Sequence, residues 1–476
     1  MRIPPGLTSK DFSDALGEFA AAVGKEWVFT SDEDLALYRD AYSPMWGEPG
    51  ELIASAAVAP DGVEQVQKVV RIANHYKIPI YPVSTGKNLG YGGSAPVYSG
   101  SVVLDLKRMN RILEVNERNA YALVEPGVSY FDLYRYIQEK GLKLWVDVPD
   151  PGWGSPIGNS LDRGGGYLMA EYRNHFDSHC GMEVVLANGE ILRTGMGALP
   201  GAKTWQQYKT GFGPWIDGIF SQSNFGVVTK MGFWLMPEPD AYLSGIVHVP
   251  KRDDLIPLVD TLNYLENTRV TNGMPDLASP LLGIPMLADF EGLFEKGSSP
   301  FAAPRDPEVA AVSAKPGGGS PEEIGARGPT NPNPTSGHMW FSPIIPRTGE
   351  AIFAANRVFS QAAQEFGLPS LGFSLPSCYW ERAFIYIFAL PVTRDAEFNK
   401  RNRAVFQRMI QLAAERGWGE YRTAPAYQDA IMNTYSYNNH ALLRFHELLK
   451  DAVDPNGILS AGRYGIWPKH LRKAKP

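Results

Sequence analysis

The most constraining stretch of this 476-residue chain is Tyr81-Pro-Val-Ser-Thr-Gly-Lys-Asn-Leu-Gly-Tyr-Gly-Gly93. The apolar run 78–83 reads as a strand, which then breaks into a loop of small residues: Ser84, Thr85, Gly86, Gly90, Gly92 and Gly93. Glycine accepts positive φ without steric cost, so such a loop can turn its backbone N–H groups inward and cradle an anion such as a pyrophosphate. An ordinary glycine turn has the same composition, and the loop alone does not separate the two. Two familiar phosphate motifs are excluded. Position 81 is Tyr and position 88 is Asn, so the P-loop spacing around Gly86-Lys87 fails. Gly152-Trp-Gly154 is followed by Ser155-Pro156-Ile157, with no glycine where the Rossmann fingerprint needs one.

Around this loop, apolar spacing predicts alternating elements. Phe12, Leu16, Phe19 and Ala22 mark a helix over 10–23, and Val63, Val66, Val69, Val70 and Ala73 mark a second. Ala54–Val58, Ser101–Asp105, Ile112–Val115 and Ala120–Val124 read as strands, followed by a helix over Tyr130–Glu139. This alternation argues for an α/β-type layered domain. Leu255, Val259, Leu262 and Leu265 suggest a further helix. Between Gly297 and Gly337 the chain turns rich in Pro, Gly, Ser and Ala, and its prolines forbid long regular elements. That segment reads as a trimmed cap, an exposed linker or a disordered loop.

Composition serves mainly to exclude. With 44% apolar and 20% charged residues the chain is globular, and its length supports two or more domains. A net charge of −6, without a basic run, argues against nucleic acid. Two cysteines, Cys180 and Cys378, build no disulfide framework, and no run approaches 18 apolar residues. A cytoplasmic protein, without signal peptide or membrane span, is expected; no metal cluster is expected either.

Four segments matching in order carry a family resemblance. Ser84–Gly93, Gly158-Asn-Ser-Leu-Asp-Arg-Gly-Gly-Gly-Tyr167, Gly181-Met-Glu-Val-Val-Leu-Ala-Asn-Gly189 and Ser221-Gln-Ser-Asn-Phe-Gly226 resemble the vanillyl-alcohol oxidase and p-cresol methylhydroxylase flavoproteins, eugenol oxidase among them. The resemblance covers about residues 1–240 and resumes near 336. It implies an α+β fold of two domains: a PCMH-type FAD-binding domain over 1–240 and an α/β cap over 241–424, with 425–476 returning to the first. FAD would be held by Ser84, Thr85, Gly86, Lys87, Asn88, Leu89, Gly90, Pro151, Gly158, Asn159, Asp162, Gly165, Tyr167, Ser223, Asn224, Gly226, Val227, Val228 and Arg463.

The same resemblance assigns roles that the residues alone do not. A single His ahead of an apolar strand is commonly a structural hydrogen-bonder, yet His338 matches the position where some relatives attach the flavin 8α-methyl covalently. Asp150, in a turn-forming Asp-Pro-Gly setting, matches the family's acid/base carboxylate, with Asp147 its competitor. Tyr421 and Arg422, a surface-strand composition in isolation, match the pair that with Tyr91 holds a phenolic oxygen. Two departures stand out. After Tyr167 the chain reads Leu168-Met-Ala-Glu-Tyr-Arg-Asn-His175, where His175 and His179 read as packed or surface histidines. Where relatives carry a His pair, this chain has Cys378-Tyr-Trp-Glu-Arg-Ala383, so that Glu381 and Arg382 either pair together or Arg382 reads a polar part of the substrate.

The chemistry implied is oxidation of para-substituted phenols by hydride transfer to flavin through a p-quinone methide. Oxygen is the expected acceptor, with transfer to a cytochrome or copper protein as the alternative. A flavin-binding subunit that has lost turnover is a further alternative, and a homodimer or higher homo-oligomer is expected.

Overall fold

The computed structural model describes residues 2–88, 90–149, 152–166, 172–241, 252–271, 337–367, 378–380 and 382–474. Leu89, Asp150, Pro151, Tyr167, Leu168–Glu171, Glu381 and the proline-rich segment up to residue 336 lie outside the described residues.

The N-terminal helix α1 (Ser9–Val23) starts where the Thr8 hydroxyl accepts the Asp11 N–H, and it buries Phe12, Ala15, Phe19 and Val23. There follow β1 (Val28–Phe29), α2 (Asp32–Ala36), β2 (Ala56–Val58), α3 (Val63–Tyr76), β3 (Ile80–Val83) and β4 (Val102–Asp105). They form a sheet of order β1-β2-β4-β3, in which β2, β4 and β3 are parallel and β1 is antiparallel. The predicted strand at 78–83 begins at Ile80 and lies at the sheet edge, where Pro82 removes no ladder donor. α1 and α3 bury Phe12, Phe19, Val66, Val69 and Val70 against Ile80, Val102 and Leu104.

A second sheet contains β5 (Ile112–Asn116), β6 (Tyr121–Val124), β8 (His179–Val185), β9 (Ile191–Arg193) and β10 (Val227–Trp234), in the order β5-β6-β10-β8-β9. Every pairing in it is antiparallel. This corrects the α/β expectation for the first domain: a parallel crossover needs a dozen or more residues, and the four between Asn116 and Tyr121 permit only a hairpin. The architecture is α+β. α4 (Tyr130–Glu139), opened by a capping box of Ser129 and Asp132, packs on this sheet with Leu133 and Ile137. β7 (Leu144–Trp145) pairs with β11 (Met236–Pro237), and α5 (Pro156–Leu161) lies in sequence between β7 and β8.

The second half contains α6 (Leu255–Asn267), β12 (Gly337–Phe341), β13 (Ile344–Pro346), α7 (Gly349–Glu365), β14 (Cys378–Trp380), β15 (Ala383–Ile385), β16 (Phe388–Val392) and α8 (Ala396–Glu415). β12 pairs with β16, and a three-stranded sheet has the order β13-β15-β14. Met339, Phe341, Phe359, Phe384 and Phe406 fill one core beneath them. Among the described residues no helix is long and apolar enough to cross a membrane, and no group of acidic, His or Cys side chains could hold a metal.

After α9 (Gln428–Thr434) and α10 (Tyr437–Val453) the C-terminal segment returns to the first half. Ile458 and Leu459 enter the core of the first sheet and Ile466 that of the second. A fully buried ion pair anchors the return, with Lys450 Nζ 2.8 Å from Asp454. Lys450 also donates to the carbonyls of Asn224 and Leu459, at 2.7 and 2.6 Å, and Asp454 accepts the N–H groups of Ile458 and Leu459. Lys450→Met strands the Asp454 charge and is predicted to cost about 3–5 kcal/mol. Urea unfolding reads the loss; a midpoint equal to wild type would contradict the anchoring role.

Candidate functional site

Beyond β3 the chain must pass between β12 and the turn at Pro425. It does so on Gly90 (φ 75°) and Gly92 (φ 99°). A Cβ on Gly90 would sit 2.5 Å from Trp340 Cδ1 and 3.0 Å from His338 Cδ2; one on Gly92 would sit 2.5 Å from Pro425 Cγ. Both positions need glycine for conformation and for space. Tyr91, between them, is thereby held buried, with its hydroxyl 2.8 Å from Ser342 Oγ.

Three predicted residues meet here. The Arg422 guanidinium carbon lies 3.9 Å from the Tyr91 ring centroid and 5.2 Å from that of Tyr421. The Tyr421 N–H donates to the Ser342 carbonyl at 3.0 Å, which ties it to the residue just after β12, and its hydroxyl donates to the Arg163 carbonyl. Arg422 is half-buried, and its Nε and Nη1 are enclosed without a hydrogen-bond partner. Burial raises the Tyr91 pKa, against the opposing pull of Arg422, so its hydroxyl keeps its proton at neutral pH. The cluster thus sets two tyrosine rings against one cation.

Asp162 ties this cluster to the rest. One carboxylate oxygen accepts from Arg463 at 2.7 Å and from the Tyr464 hydroxyl; the other accepts from Asn88 at 2.5 Å and lies 3.9 Å from Arg422 Nη1. Burial alone would raise the Asp162 carboxyl, but Arg463 and Arg422 outweigh it and hold the group below its usual range. Arg463 also donates to the Tyr81 hydroxyl at 2.7 Å. Two guanidinium charges against one carboxylate leave an excess positive charge.

His338 follows from β12. Its ring stands 5.0 Å from that of Tyr42 and 4.2 Å from that of Trp340, and its Nε2 is buried without a hydrogen-bond partner. Burial lowers its pKa to about 4, so the imidazole is neutral at physiological pH. An orphaned, neutral ring nitrogen beside the glycine loop suits a nucleophile awaiting a covalent partner.

Two of the small-residue segments lie together. Ser84 abuts Gly158, where a Cβ would lie 2.3 Å from the Ser84 hydroxyl. The Gln222 N–H donates to the Leu161 carbonyl at 2.7 Å, and Arg163 donates to Ser221 at 3.0 Å, so the 158–166 and 221–228 segments lie side by side. Thr85 and Lys87 are buried in the loop; burial and nearby Lys107 bring Lys87 down to about 8, and an anion beside it would raise that value again. Gly165 bridges to Asn174 across the loop.

Other predicted residues have structural partners. Asn224 donates to the carbonyls of Ser460 and Ile466, and Val227 and Val228 bury their side chains in the two cores. Gly226 sits against Val184, Asn159 meets the His175 ring at 2.5 Å, and Ser223 is half-buried. His175 is buried between Tyr130 and Asp147, and His179 is fully buried against Asp217 at 2.9 Å. Asp147 therefore has a histidine partner, and Asp150 lies outside the described residues. The two departures from the family pattern dock on the same helix end: Arg173 pairs with Glu266 at 3.0 Å, and Arg382, exposed, donates to Asn267 at 3.2 Å.

Sequence reasoning missed Ser342, Glu420 and Tyr464. The first two lie close to residues matched by the resemblance, His338 and Tyr421, but nothing in their local composition marks them; Tyr464 has no signal beyond its neighbour Arg463.

Residues 54–195 match the family model described as FAD binding domain. The 4-cresol dehydrogenase [hydroxylating] flavoprotein subunit of Pseudomonas putida is 34% identical over 520 residues, covering 98% of this chain and 97% of the relative. Among solved structures, 4-ethylphenol oxidase from Gulosibacter chungangensis, in an isoeugenol complex, superposes with a TM-score of 0.84 at 31% identity, over 99% of this chain and 100% of that one. Substrate-bound p-cresol methylhydroxylase gives a TM-score of 0.82 at 32% identity, over 98% and 99% of the two chains.

Proposed function

Because the chain belongs to the vanillyl-alcohol oxidase and p-cresol methylhydroxylase family of FAD-dependent oxidoreductases, we propose that it oxidises para-substituted phenols, captured as phenolates by Arg422. The observation that carries this reading is the Arg422 guanidinium, whose Nε and Nη1 are enclosed without a hydrogen-bond partner, set over Tyr91 and beside Tyr421. A buried, unsatisfied charged donor is costly unless a ligand completes it.

The magnitudes agree. A phenol ionises near pH 10, and holding it ionised at pH 7 requires a shift of about 3 units, about 4 kcal/mol. Hydrogen bonds to charged groups contribute about 1.5–3 kcal/mol each, so Arg422 with one tyrosine donor reaches that figure. Either hydroxyl of the Tyr91–Ser342 pair can donate, and with Ser342 Oγ as the donor the Tyr91 proton is left for the ligand. Tyr421 becomes the second donor once its hydroxyl leaves the Arg163 carbonyl. Asp162 shares its charge with Arg463, so Arg422 is only partly neutralised before substrate arrives.

When bound, FAD supplies the acceptor for the hydride that the electron-rich ring releases from its para benzylic carbon. Lys87 and the N–H groups of the 84–93 loop would hold its pyrophosphate, Arg463 would place a cation near its ring, and His338 would carry it covalently through the neutral imidazole. Asp150 is assigned as the base that takes a proton from water or from a benzylic alcohol. Arg422→Ala should lower the rate of anaerobic flavin bleaching by a 4-alkylphenol about 10²- to 10³-fold, with flavin content unchanged. Tyr421→Phe should lower it about tenfold. Equal loss of flavin and of rate would mean that these residues serve the fold instead. For the covalent link, denatured wild-type protein should keep its yellow colour in the precipitate and His338→Ala should release it; release from both would sink the link.

Oxygen is proposed as the electron acceptor, in keeping with the likeness to an oxidase. The likeness over the full chain to a dehydrogenase subunit favours a second reading, transfer to an electron-carrier protein. Stopped-flow reoxidation separates them: reduced flavin persisting for minutes in air contradicts the oxidase reading.

A further inference from the structure

One serine joins the parts of the candidate phenol site. Ser342, fully buried, places its Oγ 2.8 Å from the Tyr91 hydroxyl, accepts the Tyr421 N–H at its carbonyl, and donates its own N–H to Glu420 Oε1 at 2.5 Å. Pro343, next in the chain, bridges to Glu420 as well. Glu420 is only 8% exposed, and its second carboxylate oxygen, Oε2, has no hydrogen-bond partner. No Lys, Arg or His among the described residues forms an ion pair with it; Arg422, two positions on, is directed at Tyr91 and Asp162 instead.

A buried carboxylate with one donor and no cation is an unstable arrangement, and here it would stand beside the place where a phenolate charge must be held. The un-ionised acid removes the conflict. It still accepts the Ser342 N–H through Oε1, and it leaves Arg422's positive charge to the ligand. We propose that Glu420 is a positioning residue of the phenol site, carried as the un-ionised acid, that fixes Ser342 and through it the Tyr91 hydroxyl.

This inference rests on the phenol reading above. Burial pushes the Glu420 carboxyl well above the usual carboxylate range, opposed only by the Ser342 N–H. The titratable groups that feel it are Tyr91 and Tyr435, both raised by burial, and the Tyr435 hydroxyl donates to the Glu420 carbonyl at 3.3 Å. A neutral Tyr91 and a neutral Glu420 therefore contact Ser342, a neutral Tyr435 stands against Glu420, and Arg422 is the charged member of the group.

The test uses flavin-loaded, full-length protein with 4-nitrophenol as a bound probe, whose visible band reports its ionisation as pH is varied. Glu420→Gln keeps the shape and the acceptor but has no charge in any state, so the probe should ionise at the wild-type pH within about 0.3 unit. Ser342→Ala and Glu420→Ala loosen the Tyr91 hydroxyl and should raise that pH by about one unit, a tenfold weaker hold on the phenolate. Should Glu420→Ala fail to fold, Ser342→Ala reads the same link. A Glu420→Gln protein that ionises the probe a full unit lower overturns the proposal, since wild-type Glu420 would then be charged. Unchanged ionisation in Ser342→Ala also overturns it. If the wild-type protein leaves the bound probe un-ionised, the phenol reading fails first and this inference falls with it.

Discussion

A single carboxylate shared between two guanidinium groups is what the rest of the site depends on. Asp162 accepts fully from Arg463 and stands at the long distance of 3.9 Å from Arg422. Had it paired closely with Arg422 instead, that cation would be satisfied and have nothing to offer a ligand. The unequal division leaves Arg422 with unmatched N–H groups in a buried setting. Such an arrangement is held only by the surrounding fold, because an isolated buried cation would rather be solvated. The supporting parts come from far apart in the sequence: Asp162 caps the end of α5, Arg463 follows the C-terminal return, and Arg422 follows the Tyr421 backbone that the Ser342 carbonyl holds.

The fold can be read as the means of delivering these parts. The first sheet projects the glycine loop from the end of β3, and the antiparallel second sheet carries β10 and β8 behind the two other small-residue segments. The cap brings β12 and the 417–423 stretch across the loop, with Gly90 and Gly92 permitting the close approach. Lys450 and Asp454 then hold the final segment in place. Glycine conformation, loop geometry and one buried ion pair together place two tyrosines and an arginine, although Tyr91 and Arg422 lie 331 positions apart in the chain.

Much of this was legible in the sequence, and the failures have physical causes. Helices α1, α3, α4 and α6 show their 3.6-residue spacing because each buries one face only. The family, the FAD-binding fold and the cluster of Tyr91, Tyr421 and Arg422 came from motif order. Strand direction did not, because short apolar strands look alike whichever way they pair; loop length carried that information. Motif matching also blurred backbone and side-chain roles. Val227 and Val228 lie in a matching segment, yet their side chains serve the cores. Ser342 and Glu420 stayed invisible because their roles are set by partners 251 and 78 positions away, and no local pattern encodes such a contact.

The central claim is that Arg422, flanked by Tyr91 and Tyr421, receives a phenolate oxygen. A crystal structure of the flavin-loaded protein with a bound 4-alkylphenol tests it most directly. The account predicts the phenol oxygen at about 3 Å from an Arg422 nitrogen and from at least one of the two tyrosine hydroxyls. A phenol oxygen directed away from Arg422, toward solvent or toward residue 150, would contradict it.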